Sequence, residues 1–147
     1  MRPVFATLVV FLLVFNIQPV KAGEVRNASV PSSLSGTYWW VEDIDGQGVI
    51  DRSHTTIGFL EENRLAGDGA CNRYTGAWQQ NGNRLEFGPL ASTRRACPEA
   101  IMGQDSRFHA AMARVVAFRV AATGLLYLLD DEGKPLIRAY AIGRDEQ

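Results

Sequence analysis

Between Thr37 and Ile142 the chain consists of short runs rich in aromatic and β-branched residues, each cut off within a few positions by Gly, Asn or Asp. Runs this short alternate two faces as strands and are too brief to stack as helices. Thr37 to Ile44 reads as a first strand, with Tyr38, Trp40 and Ile44 on one face and Trp39 and Val41 on the other. Thr55 to Glu61 and Arg64 to Ala70 read as a hairpin turning at Glu62-Asn63, and Asn72 to Gln79 with Arg84 to Phe87 as a second turning at Asn81-Gly82. Further strands are expected at Ala117 to Ala122, Leu125 to Leu129 and Pro135 to Ile142. Leu125 to Leu129 is apolar on both faces and is expected in a central position. A single segment breaks this rhythm: from Pro98 to Val116, the residues Ile101, Phe108, Met112 and Val115 fall at helical spacing, with Pro98 suited to the first turn. The pattern predicts a mainly β (α+β) fold, a single antiparallel, strongly curved sheet or incomplete barrel of about eight strands with one α-helix packed on it.

Residues 1–22 differ in kind. Arg2, an apolar run from Val4 to Ile17, and Val20-Lys21-Ala22 read as a cleaved secretory signal peptide. An uncleaved anchor is the alternative, but the apolar run is shorter than the ~20 residues that span a bilayer. The expected organisation is a signal peptide at 1–22, a flexible lead-in at 23–35, one domain at 36–142 and a C-terminal tail at 143–147. No cysteine precedes Cys71, so no lipid-attachment cysteine is available near the cleavage site, and a periplasmic or secreted protein is expected, without an integral membrane span after cleavage. With 15 Lys+Arg against 16 Asp+Glu, the chain lacks the basic surplus of a nucleic-acid binder.

Export exposes thiols to an oxidising compartment, where Cys71 and Cys97 form the one available intrachain pair. Two free thiols are the alternative, to be decided by geometry. Cys71, Cys97, His54 and His109 also supply enough ligands for zinc, yet no CxxC or HxxxH spacing joins them, so no metal and no cofactor is expected. A small hydrolase would have to use His54 or His109 as its base, and there is no GxSxG motif. His54 reads as a loop residue and His109 as a solvated helix residue. The adjacent acids Glu61-Glu62 and Asp130-Asp131-Glu132 read as solvated turn charges rather than a glycosidase pair.

The order GxGACNRYTG (Gly67 to Gly76), LEFGPLASTRRACP (Leu85 to Pro98), DSRFHAAM (Asp105 to Met112) and GLLYLLDDEG (Gly124 to Gly133), opened by GTYWWVEDIDG (Gly36 to Gly46), resembles the META domain family, that of the heat-shock protein HslJ. Two positions depart from the family pattern: Ala70 stands where a glycine commonly precedes the cysteine, and Asp105 where a glutamate is usual. The resemblance implies an exported, non-enzymatic domain acting in envelope stress or maintenance. Its motif points to Cys71, Cys97, Asn72, Arg73, Thr93, Arg94, Arg95 and Asp105 as structural or binding residues. A link between Cys71 and Cys97 would gather Arg73, Arg94 and Arg95. These arginines are expected either to satisfy carbonyls and nearby acids such as Asp68, Asp105 or Glu99, or to form an anion-binding patch. An unknown envelope protein or small ligand is the expected partner of a monomer. A lipocalin-like carrier of a small apolar or anionic ligand is a further alternative.

Overall fold

A computed structural model describes residues 33–143. The expected signal peptide, most of the lead-in and most of the tail lie outside the described residues. The strands are β1 (Thr37–Ile44), β2 (Gln47–Gly48), β3 (Thr56–Phe59), β4 (Arg64–Asp68), β5 (Arg73–Asn81), β6 (Arg84–Phe87), β7 (Ala91–Ser92), β8 (Ala117–Val120), β9 (Leu126–Leu129) and β10 (Pro135–Ile142). The helix α1 spans Glu99–Met112, with Pro98 at its N-cap.

Every pairing is antiparallel, and the order β1-β3-β4-β5-β6-β8-β9-β10 returns to β1, giving a closed barrel of eight strands. The expected curved sheet with one helix is present, and its ring closes completely rather than staying open. Most pairings are between chain neighbours; the seam is the long-range ladder that runs from Tyr38↔Ile142 to Ile44↔Ile137. The joint between β6 and β8, where α1 is inserted, is the thinnest, a single strand pair at Arg84↔Ala117. Two backbone hydrogen bonds flank it, Leu85 N to Val116 O at 2.9 Å and Phe118 N to Asn83 O at 2.9 Å.

The turns follow the chemistry of their residues. Glu62 and Asn63 both adopt left-handed conformations, at φ 58° and 58°, as a tight twisted hairpin requires. The second hairpin turns one residue later than expected, on Gly82 and Asn83, because Asn81 still pairs with Arg84. Strand β1 differs from simple alternation. Its register with β10 shifts between Val41 and Asp43, so Glu42 is an extra residue and Ile44 is returned to the inner face with Trp39 and Val41. Tyr38 and Trp40 are therefore left on the outside without Ile44.

The interior is filled by side chains. Trp39, Phe59, Leu65, Trp78, Leu85, Phe118, Leu126, Leu128 and Ile137 are all buried, and Phe59 packs edge-on to Trp78 with ring centroids 4.9 Å apart. Strand β9 is flanked by β8 and β10, and its outward Tyr127 is covered by the Arg119 guanidinium, 3.8 Å from the ring centroid. Helix α1 lies across the end of the barrel where β1 and β4 finish and β3, β5 and β10 begin, with Phe108, Ala111 and Met112 buried there. Among the described residues no helix is long and apolar enough to cross a membrane.

Past the helix, Arg114 reaches Asp45 in the β1–β2 turn at 3.1 Å, and Lys134 of the β9–β10 turn reaches the same carboxylate at 3.0 Å. The Lys134 hydrogen bond and the two positive charges hold Asp45 below its ordinary value of 3.8. A carboxylate held low stabilises the fold fully above its ordinary value and loses that effect as acid protonates it. Because the three side chains are solvated, the effect is small. Melting curves of the wild type and Asp45→Asn are expected to differ by a few degrees at most at neutral pH and to converge as the pH falls below 3.8. A gap unchanged in acid would show that Asp45 acts through its turn backbone instead.

Candidate functional site

The motif residues converge under α1. Two adjacent polar residues of the helix, Gln104 and Asp105, are buried at 0% and 7% exposure, on the face that carries the apolar stripe. Both are satisfied by loops at the barrel end. Gln104 accepts a hydrogen bond from Ile50 N at 2.7 Å and donates to Ser53 Oγ at 2.8 Å and Thr55 Oγ1 at 3.0 Å. Asp105 Oδ1 accepts from Cys71 N at 3.2 Å and Asn72 N at 2.9 Å, while its Oδ2 accepts from Asn72 Nδ2 at 3.1 Å. The shorter acid at this position therefore spans the distance.

Asn72 extends the network outward. Its Oδ1 accepts from Thr93 Oγ1 at 3.0 Å and from Arg95 N at 2.8 Å, and Thr93 Oγ1 in turn accepts from Arg73 N at 3.2 Å. The disulfide from Cys71 to Cys97, with Cα atoms 6.0 Å apart, fixes the same two segments covalently. Neither cysteine is left as a free thiol or metal ligand. Among the described residues no three His, Cys, Asp or Glu side chains are grouped to hold a metal.

The small residues of this turn fit the space the network leaves. A Cβ at Gly69 would stand 2.5 Å from Asp105 Oδ1, and one at Gly67 would stand 2.2 Å from the carbonyl oxygen of Thr56. That same carbonyl accepts the buried Tyr74 hydroxyl at 2.9 Å, and burial pushes this phenol above its ordinary range. Ala70, the departure from the family pattern, has φ 109°, a conformation suited to glycine and costly for a residue with a Cβ.

The arginines are not drawn inward. Arg73 is 80% exposed, with Nε 3.8 Å from Asp68 Oδ1, while the side chains of Arg94 and Arg95 are exposed. The Arg95 backbone is held by Asn72, so the clamp positions a guanidinium that it does not consume. His109 differs from the expected solvated residue. Its side chain is 25% exposed and its Nε2 is buried without a hydrogen-bond partner, 3.9 Å from Asp105 Oδ2. One turn after Asp105 on the helix, His109 faces the same wall and packs edge-on to Tyr74, with ring centroids 5.7 Å apart. His54 is an exposed loop residue, as expected, with its ring 4.9 Å from that of Trp40. Gln104 was not among the motif residues. The signal available for it was its spacing, three residues after Ile101 and four before Phe108, which places it on the apolar stripe itself.

Among the described residues, two sizeable clefts lie outside the filled barrel. One of about 560 Å³ runs between the Gly88–Ser92 loop and the C-terminal half of α1, bordered by Leu90, His109 and Met112. The other, of about 460 Å³, lies on the outer face of β1, β3 and β4, with Tyr38, Trp40 and Asp68 at its sides.

The sequence model of the META domain matches residues 32–141. Two solved structures are similar. An NMR structure of a protein from Burkholderia xenovorans superposes with TM-score 0.61 at 21% identity, over 76% of this chain and 85% of that one. A second NMR structure superposes with TM-score 0.57 at 21% identity, over 71% of this chain and 88% of that one. At this identity the likeness is one of fold. No curated protein matches.

Two substitutions of opposite sign test the clamp by thermal or denaturant unfolding. Asp105→Ala strands the Cys71 and Asn72 amides and is expected to cost roughly 3 kcal/mol. Ala70→Gly relieves the positive φ, offset in part by a freer unfolded chain, for a net gain of about 1 kcal/mol. A destabilising Ala70→Gly would show that the turn is unstrained as it stands.

Proposed function

The chain belongs to the META domain family, and from that premise we propose that it is an exported domain that acts in envelope stress or maintenance by binding, not by catalysis. The observation that carries this reading is the division of labour within the motif. Cys71, Asn72, Thr93, Cys97 and Asp105 are used up in holding the two segments together, while the guanidinium groups of Arg94 and Arg95 project from the clamped segment into solvent. A rigid backbone bearing exposed guanidinium groups reduces the ordering cost of binding an anion, and the planar fork matches a carboxylate or phosphate. Arg73 stands across from them, at the start of β5, with Asp68 as its neighbour. The partner is accordingly an anionic group of an envelope component, met by a monomer in the periplasm. Asp105, buried and accepting from three donors of the turn, is committed to holding that turn.

The test is complementation in a strain lacking the gene. Full-length wild type is expected to be recovered from the periplasmic fraction, beginning at Gly23 by mass, and to restore survival after heat or antibiotic challenge. Arg94→Gln/Arg95→Gln should be exported and folded yet fail to restore it, whereas His109→Gln should restore it. Full rescue by the double arginine variant would overturn the anionic-partner reading. Retention of the wild type in the cytoplasm would overturn export, and loss of rescue with a folded His109→Gln would revive hydrolysis.

A further inference from the structure

On an antiparallel sheet with a filled interior, the outward positions are expected to be polar, since they meet water. The outer face of β1, β3 and β4 departs from this. Tyr38 and Trp40 project there, and the strand positions beside them are Gly58 and Ala66, which pair with each other across β3 and β4. The absence of large side chains at that pair makes a floor. Tyr38 is in register with Gly58 and lies down against it, so close that a Cβ at Gly58 would stand 2.9 Å from the ring. The ring is thereby held over Gly58, at the side of the cleft. Trp40 forms a wall, its ring backed by His54 at a centroid distance of 4.9 Å and an interplanar angle of 55°. Asp68 lies at one end, where Arg73 faces it at 3.8 Å.

We propose that this cleft binds a saccharide, with one pyranose ring laid on the floor against Tyr38 and Trp40. Three features select this class. The volume of about 460 Å³ is that of a small-ligand site. The cleft's one carboxylate is offset by a guanidinium, so its end is near neutral. That disfavours a cation, which aromatic walls with an unopposed acid would attract. The barrel is closed, so β1 and β3 have no free edge here onto which a peptide strand could add. A neutral ligand with an apolar face and a hydroxylated rim matches what remains. Its C–H face covers the aromatic rings, Asp68 accepts from ring hydroxyls, Arg73 donates at the rim, and His54 donates or accepts there. This inference goes beyond the anionic-partner reading and rests on a different surface, which meets the first only at Arg73.

The test is titration of the mature protein with maltotriose and with the trimer of N-acetylglucosamine, followed by amide and indole NMR shifts. Saturable changes are expected at Gly58, Ala66, Asp68 and the Trp40 indole with at least one of the two sugars, in the micromolar to millimolar range. Trp40→Ala is expected to weaken that binding at least tenfold. Asp68→Asn, which keeps the size of the side chain, should weaken it while leaving the melting temperature nearly unchanged. If Trp40→Ala does not fold, the wild-type shift map and Asp68→Asn decide alone. Absence of saturable shifts with both sugars into the millimolar range would overturn the proposal. So would shifts centred elsewhere, or tighter binding of tetramethylammonium at the same residues.

Discussion

Closing a sheet into a barrel removes its strand edges but leaves two ends, and at each end turns expose backbone amides next to an apolar interior. In this protein α1 covers one end, and what allows it to do so is the pairing of a single buried carboxylate with a single turn. Asp105 receives the amides of Cys71 and Asn72 and the side-chain amide of Asn72. Without those donors the helix would bring an uncompensated charge against the core, and without the acid the turn would bury unpaired amides. Gln104 does the equivalent for the loop ahead of β3, so two consecutive helix residues dock onto two separate loops.

The disulfide and this polar network restrain the same junction by different means. The Cys71–Cys97 link closes a separation of 26 residues and on chain-entropy grounds stabilises by roughly 3 to 4 kcal/mol, mainly by restricting the unfolded chain. It fixes which segments meet, but it leaves the orientation of the 93–97 segment loosely defined. Asn72 supplies the orientation, holding Thr93 and the Arg95 backbone from one side while binding Asp105 from the other. The result is a strap whose backbone is held while its arginines face water. The close fit at Gly69 and the left-handed Ala70 are what such a tight turn demands of the chain.

Much of the fold was legible in the residues. The turn residues Glu62-Asn63 and Gly82, the doubly apolar strand near Leu126 and the single helical stripe led to an antiparallel curved sheet with one helix. The places that departed are those where long-range pairing overrides a local period. Glu42 is inserted into β1 because the register with β10 shifts, which moves Ile44 to the core and leaves Tyr38 and Trp40 outside. Alternation within β1 carries no trace of that, because the cause lies on a strand nearly a whole chain length away. His109 appeared solvated on a helical wheel, yet it packs against Tyr74, a residue of a distant strand. In the site, the motif identified which residues meet, including the cysteine pair, but not that the acid, the asparagine and the threonine would be consumed structurally while Arg94 and Arg95 stayed exposed.

By itself, then, the sequence determined the period of each segment, the turns, the two cysteines that can pair and the family motif, since all of these are local chemistry or spacing. The tertiary structure alone decided that the ring closes, that polar Gln104 and Asp105 belong on the buried face of the helix, and that two aromatic rings line a cleft outside the barrel. Each of these depends on which non-neighbouring backbone groups are left without partners once the strands have paired, and that is a property of the assembled sheet rather than of any segment in it.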